Sequence, residues 1–164
     1  MATFFRPTLT NHLPSLSMAT LSTALSPLLP HRQNAFLAVK VTSVFSHVTL
    51  RVIPAQSHPG EGLADLAKRQ DQPTAENISG TLFGFWSPAY SMGMSLSGFH
   101  VHFLSDDRRV GGHVLDFSAG EGGCRVEAAV MEQYTVRVPA SEEFHSGVVS
   151  VGSLADLLAA EGSG

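Results

Sequence analysis

Between residues 35 and 138 apolar and polar positions alternate over long stretches, and a period of two is the signature of strands with one face buried. Val126, Ala128 and Val130 alternate with Glu127, Ala129 and Met131, which predicts a half-buried strand within 124–138. Residues 35–53 are rich in β-branched and aromatic types and read as two strands broken near Thr42-Ser43. Further strands are expected over 94–104, over 112–118, and over 79–90, the last ending at Ser87-Pro88 because the residue before proline is held extended. Helical spacing occurs twice. Leu16, Leu21, Leu25 and Leu28 predict a short helix over 16–29 behind Ser15 as N-cap and ahead of Pro30, and residues 153–160 predict a terminal helix capped by Ser153. Residues 54–77 read as a polar connection with a helical turn or two at Leu63–Arg69. The sum is an α+β fold: a β-rich domain with an antiparallel or mixed sheet and few short helices.

At 164 residues, with 43% apolar and 15% charged positions, the chain fits one domain spanning 1–164 and can bury a core. A net charge of −4 and no basic cluster beyond Arg108-Arg109 argue against nucleic acid as a partner. No run of eighteen apolar residues exists, so no membrane-spanning helix is expected. Cys124 is the single cysteine, which excludes an intramolecular disulfide. The charge is unevenly placed: residues 1–60 hold four basic residues and no Asp or Glu. An acid-poor, Ser/Thr/Leu-rich start resembles an organelle transit segment over 1–33, the alternative to a cytoplasmic protein.

The chemistry concentrates in Gly98-Phe-His-Val-His-Phe-Leu-Ser-Asp-Asp-Arg-Arg-Val-Gly-Gly-His113. In a strand His100 and His102 point to one face, with Phe99, Val101 and Phe103 on the other. Ser105-Asp-Asp-Arg-Arg109 is too polar to continue a buried strand. A hairpin pairing Ser105 with Val110 would set His102 opposite His113, with Cβ atoms roughly 5 Å apart. Three neutral imidazoles then converge, the pattern of a catalytic metal site with an open position rather than of a four-ligand structural one. The plainer reading is a pair of histidines on an exposed strand. His ligands alone leave zinc, manganese, iron and nickel open.

The run Gly84-Phe-Trp-Ser-Pro-Ala-Tyr90, followed by Gly98-Phe-His-Val-His-Phe103 and Gly111-Gly-His-Val-Leu-Asp-Phe117, resembles the metal-binding core of the alpha-acetolactate decarboxylase family. Thr3-Phe-Phe-Arg-Pro7 and Phe45-Ser-His-Val-Thr-Leu-Arg-Val52 resemble that family's preceding segments, so the likeness runs through almost the whole chain and weakens the transit reading. The family carries a further upstream segment that adds strands and an acidic group to the metal site; the chain resembles the C-terminal two-thirds and is expected to be truncated relative to it. The resemblance implies His100, His102 and His113 as zinc ligands, Arg51 as an active-site cation and Glu161 as a glutamate returning to the metal. It implies zinc-dependent decarboxylation of 2-acetolactate to acetoin and carbon dioxide. By residue type alone Arg51 is a strand-end cation and Glu161 a frayed helix end.

Two rival readings remain. A catalytically silent metal-binding or partner subunit follows if the absent segment matters, and a homodimer is the partnership that an exposed sheet edge invites. A cupin-like metalloenzyme also uses His-x-His, but the glutamate expected after the second histidine is replaced here by Asp106 and Asp107. The other histidines, His12, His31, His58 and His145, read as surface residues. His47 shares a strand face with Arg51 and is a candidate to support the site, as is Asp116. Trp86 and Tyr90 either line a pocket or pack, and Asp106 to Arg109 read as a solvated loop.

Overall fold

The computed structural model describes residues 5–58, 61 and 63–147. In chain order the elements are β1 Leu9–Leu13, β2 Leu16–Ser17, α1 Met18–Ala24, α2 Leu28–His31, β3 Phe36–Arg51, α3 Leu63–Ala67, β4 Thr74–Ser87, β5 Gly98–Ser105, β6 Gly111–Met131 and α4 Glu142–His145. The six strands form one sheet in the order β1-β6-β3-β4-β5, with β2 beside β6. Every pairing in it is antiparallel. The start of β6 also pairs with β5, so β3, β4, β5 and β6 close into a ring. No helix among the described residues is long and apolar enough to cross a membrane.

One face of the ring holds the core. Leu37, Val39, Val41, Phe45, Val48 and Leu50 of β3 meet Leu82, Val101, Phe103, Val114, Phe117 and Val126, and Leu16, Leu21, Leu25 and Leu29 cover them. Phe45 lies at its centre, with Phe103 and Phe117 edge-on at centroid distances of 5.1 and 5.8 Å. Such T-shaped contacts suit the aromatic quadrupole.

The elements differ from expectation where local rules compete. The residues around Thr42-Ser43 do not break β3 into two strands. They lie at the first of several register shifts against β6, and bulges of this kind bend a strand without ending it. Ser43 is held there by its hydroxyl, which donates to the Gly123 carbonyl at 3.0 Å. The segments 112–118 and 124–138 likewise join into one bent strand that stops at Met131. The helix expected over 16–29 is much shorter: Leu16-Ser17 pairs with β6, and Ser17 rather than Ser15 stands at the N-cap, its N–H donating to Thr20 Oγ1 at 2.9 Å. It ends before Pro27, and Leu29 is extended (φ −109°, ψ 140°) because Pro30 follows. The helical turn at 63–67 forms as expected. β1, five residues beside β6, was not foreseen. The helix expected over 153–160 lies outside the described residues.

Candidate metal centre

A tight turn sets the geometry of the site. Ser105 N–H donates to the Val110 carbonyl at 2.9 Å, and Val110 N–H donates to Ser105 Oγ at 3.0 Å. Asp107 Oδ1 accepts from the Ser105 hydroxyl at 2.6 Å and from Arg109 N–H at 3.0 Å, and these two bonds hold its carboxyl below the usual range, the hydroxyl first. Arg108 takes the left-handed conformation (φ 59°) that the turn requires. Asp106 to Arg109 are thus solvated, as expected, yet Asp107 is the staple of the hairpin.

That turn fixes the β5–β6 register, in which His102 stands directly opposite His113. A slip of one residue would turn His113 into the core. On its other side His113 is paired with Arg51, the last residue of β3. Because directly paired residues share a face, three strands deliver His102, His113 and Arg51 to one side of the sheet, and His100 joins them by the two-residue period.

The rings of His100 and His102 lie parallel, 2° apart with centroids at 5.2 Å, and His113 stands nearly perpendicular to both at 4.8 and 5.5 Å. One ring nitrogen from each histidine lies within 4.8 Å of those of the others. His100 Nε2 and His102 Nε2 are 3.1 Å apart. That is close enough to share one proton, and it is near the roughly 3.3 Å that a tetrahedral ion with bonds of about 2.05 Å would impose. His113 Nδ1 is buried and has no hydrogen-bond partner among the described residues. A buried unpaired nitrogen is costly unless a ligand or cation engages its ring. Burial, then the charges of Arg51, His100 and His102, depress the His113 imidazole to about 4. It is therefore neutral near pH 7, the form in which imidazole binds metal. The residues present fit a divalent ion.

The pocket in front of these rings encloses about 340 Å³ and is lined by Arg51, Val52, Ile53, Gly111, Gly112 and the three histidines. Arg51 is only 4% exposed, so its guanidinium is largely withdrawn from water. A buried guanidinium beside a metal-binding group is poised for an anion, since its fork of donors matches a carboxylate.

The family model described as alpha-acetolactate decarboxylase matches residues 1–150. The chain belongs to this family. An alpha-acetolactate decarboxylase from Bacillus licheniformis is 32% identical over 162 residues, covering 98% of this chain and 63% of its own length. One from Methanosarcina mazei is 37% identical over 125 residues, covering 76% of this chain and 43% of its own. The crystal structure of the Bacillus subtilis strain 168 alpha-acetolactate decarboxylase superposes with a TM-score of 0.86 at 29% identity, over 98% of this chain and 68% of that one. The chain thus spans less than two thirds of the length of the first two relatives.

Within this member of the alpha-acetolactate decarboxylase family, the structure brings together four of the five expected site residues: His100, His102, His113 and Arg51. The fifth, Glu161, lies outside the described residues. His47 is on the same face as Arg51 but four residues away along β3, about 13 Å, and it pairs with Asp116 at 3.2 Å. Both stand apart from the pocket lining. Trp86 and Tyr90 do not line it either: Trp86 packs edge-on against Phe99 with its N–H donating to the Gln33 carbonyl, and Tyr90 is 70% exposed. His12, His31, His58 and His145 are exposed, as expected. Val52, Ile53, Gly111 and Gly112 escaped the sequence reading as pocket walls. The glycine pair ahead of His113 was the available signal, because two residues without side chains leave space beside a ligand.

Phe83 also went unnoticed. It stands opposite His102 on β4, 6.3 Å between ring centroids, and is 44% exposed. Its neighbour Gly84 faces Val101 between the two histidines, and a Cβ there would run into the His100 carbonyl oxygen and lie 2.7 Å from Val101 Cα. Gly84 is what lets β5 lie close enough to β4 to carry His100 and His102 into register.

Proposed function

We propose that the chain catalyses the metal-dependent decarboxylation of 2-acetolactate to acetoin and carbon dioxide, with zinc held by His100, His102 and His113. The observation that carries this reading is the shared pairing of His113 with His102 and with Arg51, which puts a metal-binding group and a buried guanidinium in one pocket. Bound there, the ion supplies Lewis-acid polarisation of the substrate's ketone and hydroxyl oxygens.

The chain's own residues do the rest. Arg51 binds the substrate carboxylate through two parallel N–H donors and so orients the carbon–carbon bond that breaks. When that bond breaks, carbon dioxide leaves and its electron pair stays on the former carboxylate-bearing carbon, in conjugation with the neighbouring ketone. A proton then takes the vacated position, which completes acetoin, and Arg51 is placed to steer its delivery. Glu161 is proposed to relay protons to and from the hydroxyl oxygen. Val52 and Ile53 wall the pocket with apolar surface, which limits water around the ionic groups and strengthens them.

The test is to load the purified protein with zinc, confirm one ion per chain, and incubate it with racemic acetolactate. Acetoin release supports the reading. Full zinc occupancy without acetoin would favour a catalytically silent metal-binding subunit, and oxygen consumption with another substrate would favour a cupin-like oxygenase.

A further inference from the structure

The chain leaves β3 after Arg51 and enters β4 at Thr74, and the first two residues of that connection, Val52 and Ile53, are the apolar wall of the metal pocket. Backbone pairing holds only one end of this wall. Val52 and Asp71 exchange hydrogen bonds at 2.9 and 3.0 Å, which join the outgoing arm of the connection to its returning arm. Beyond that bridge, residues 53–57 make no backbone–backbone hydrogen bond among the described residues. Ile53 opens a stretch that only side chains can fix.

The side chain that fixes it belongs to Glu61, the first acidic residue of the chain. Oε2 accepts from the Ser57 N–H at 2.7 Å and from the Ser57 hydroxyl at 2.9 Å, while Oε1 accepts from Arg69 at 2.6 Å. The Glu61 carbonyl accepts a further bond from the Gln56 amide at 3.0 Å. One residue thus ties Gln56 and Ser57 of the outgoing arm to Arg69, two positions before Asp71 on the returning arm. Arg69 is placed in turn by its N–H, which donates to the carbonyl of the buried Leu66 at 2.9 Å. A single exposed ion pair would contribute little, but the Glu61 side chain is only 10% exposed and three donors converge on its carboxylate. Bonds to an ionised acceptor are roughly twice as strong as neutral ones. The Ser57 N–H, as the largest cause, holds this carboxyl below its usual range, so it is ionised wherever neutral imidazoles can hold a metal.

We propose that Glu61 is a positioning residue for the apolar wall of the pocket: by clamping Ser57 to Arg69 it holds Val52 and Ile53 where the alkyl group of a 2-hydroxy acid must sit. The inference rests on the reading of this pocket as a metal and hydroxy-acid site. It separates two parts of that site. The three histidines stand on β5 and β6, outside the clamped connection, and Arg51 is held within β3 by its pairing with His113. Loosening the clamp should therefore spare the metal and the carboxylate contact, and weaken only the grip on alkyl groups.

The probes are glycolate and 2-hydroxy-2-methylpropanoate, which share a carboxylate and a hydroxyl and differ by two methyl groups. Their binding to the cobalt-loaded protein is read from the visible absorption of the ion, without turnover. The parent should prefer the methylated acid, whose methyl groups meet Val52 and Ile53. Glu61→Gln keeps the shape but leaves one acceptor oxygen in place of two. It should bind cobalt and glycolate as the parent does, and its preference for the methylated acid should fall about fivefold or more, the scale set by having to order two wall side chains on binding. Arg69→Gln should reproduce this loss, and the double variant should lose no more than the worse single one, because the two residues act through one contact. A Glu61→Gln protein that keeps the parent's preference, that loses both acids equally or that loses cobalt would overturn the role of Glu61, as would losses that simply add in the double variant. A cobalt-loaded parent that binds neither acid would overturn the reading of the pocket, and the inference with it.

Discussion

Replacing Gly84 with alanine tests the link between sheet packing and the metal centre. Its Cβ would sit 2.7 Å from Val101 Cα and inside contact distance of the His100 carbonyl oxygen. Carbon atoms settle at about 3.5 to 4.0 Å, so β5 must retreat by roughly 1 Å, because neither obstacle is a movable side-chain end. His100 and His102 ride on the displaced strand, while His113 and Arg51 are anchored on β6 and β3. Metal–ligand distances tolerate about 0.2 Å, several times less than the shift. The expected outcome is a loss of about 1–3 kcal/mol in urea unfolding of the metal-free protein, the usual cost of overpacking. Zinc affinity, measured by competition with a chromophoric chelator, should fall at least about tenfold, the scale seen when the support of a metal ligand is lost. A Gly84→Ala protein that binds zinc as the parent does, at equal stability, would refute the reasoning.

Arg51→Lys keeps the charge but loses the paired donors, so acetoin production should fall by at least about tenfold while zinc content is retained; unchanged turnover would remove Arg51 from the reaction. In the metal-free protein His113 titrates at about 4 rather than 6.5. Between those values the unfolded chain takes up a proton that the folded chain does not, so stability is complete above 6.5 and declines as pH falls towards 4. Urea midpoints should drop between about pH 7 and about pH 5, and less so in His113→Asn; equal pH dependence in the two proteins would contradict this. Phe45→Ala should cost about 3–5 kcal/mol, since Phe45 is fully buried between two aromatic rings. Leu104→Ala, 41% exposed on the open face, should change thermal stability by no more than about 1 kcal/mol.

The histidine cluster was legible in the chain because its geometry is local. His-x-His shares a face in any strand, and a short polar turn between Ser105 and Val110 leaves a single register that places His102 opposite His113. The strand-rich character was equally readable, because alternation is imposed by burial of one face. Helix limits were harder: Leu16 to Leu28 has the spacing of a helix, but pairing of Leu16-Ser17 with β6 and the two prolines decide where it forms. The bulges that keep β3 whole across Thr42-Ser43 depend on β6, a strand some eighty positions away, and no local pattern announces them.

From its sequence alone, then, this protein was determined to be a β-rich chain carrying three convergent imidazoles, since periods of two and tight turns act over a few residues. Only the tertiary structure decided that Arg51 stands beside His113, that Gly84 admits the strand bearing His100 and His102, and that residues 132–138 make no backbone–backbone hydrogen bond among the described residues. Those outcomes depend on pairings between distant segments and on close approaches of backbone to backbone. Such contacts are selected by the packing of the whole sheet rather than by the preferences of any one segment.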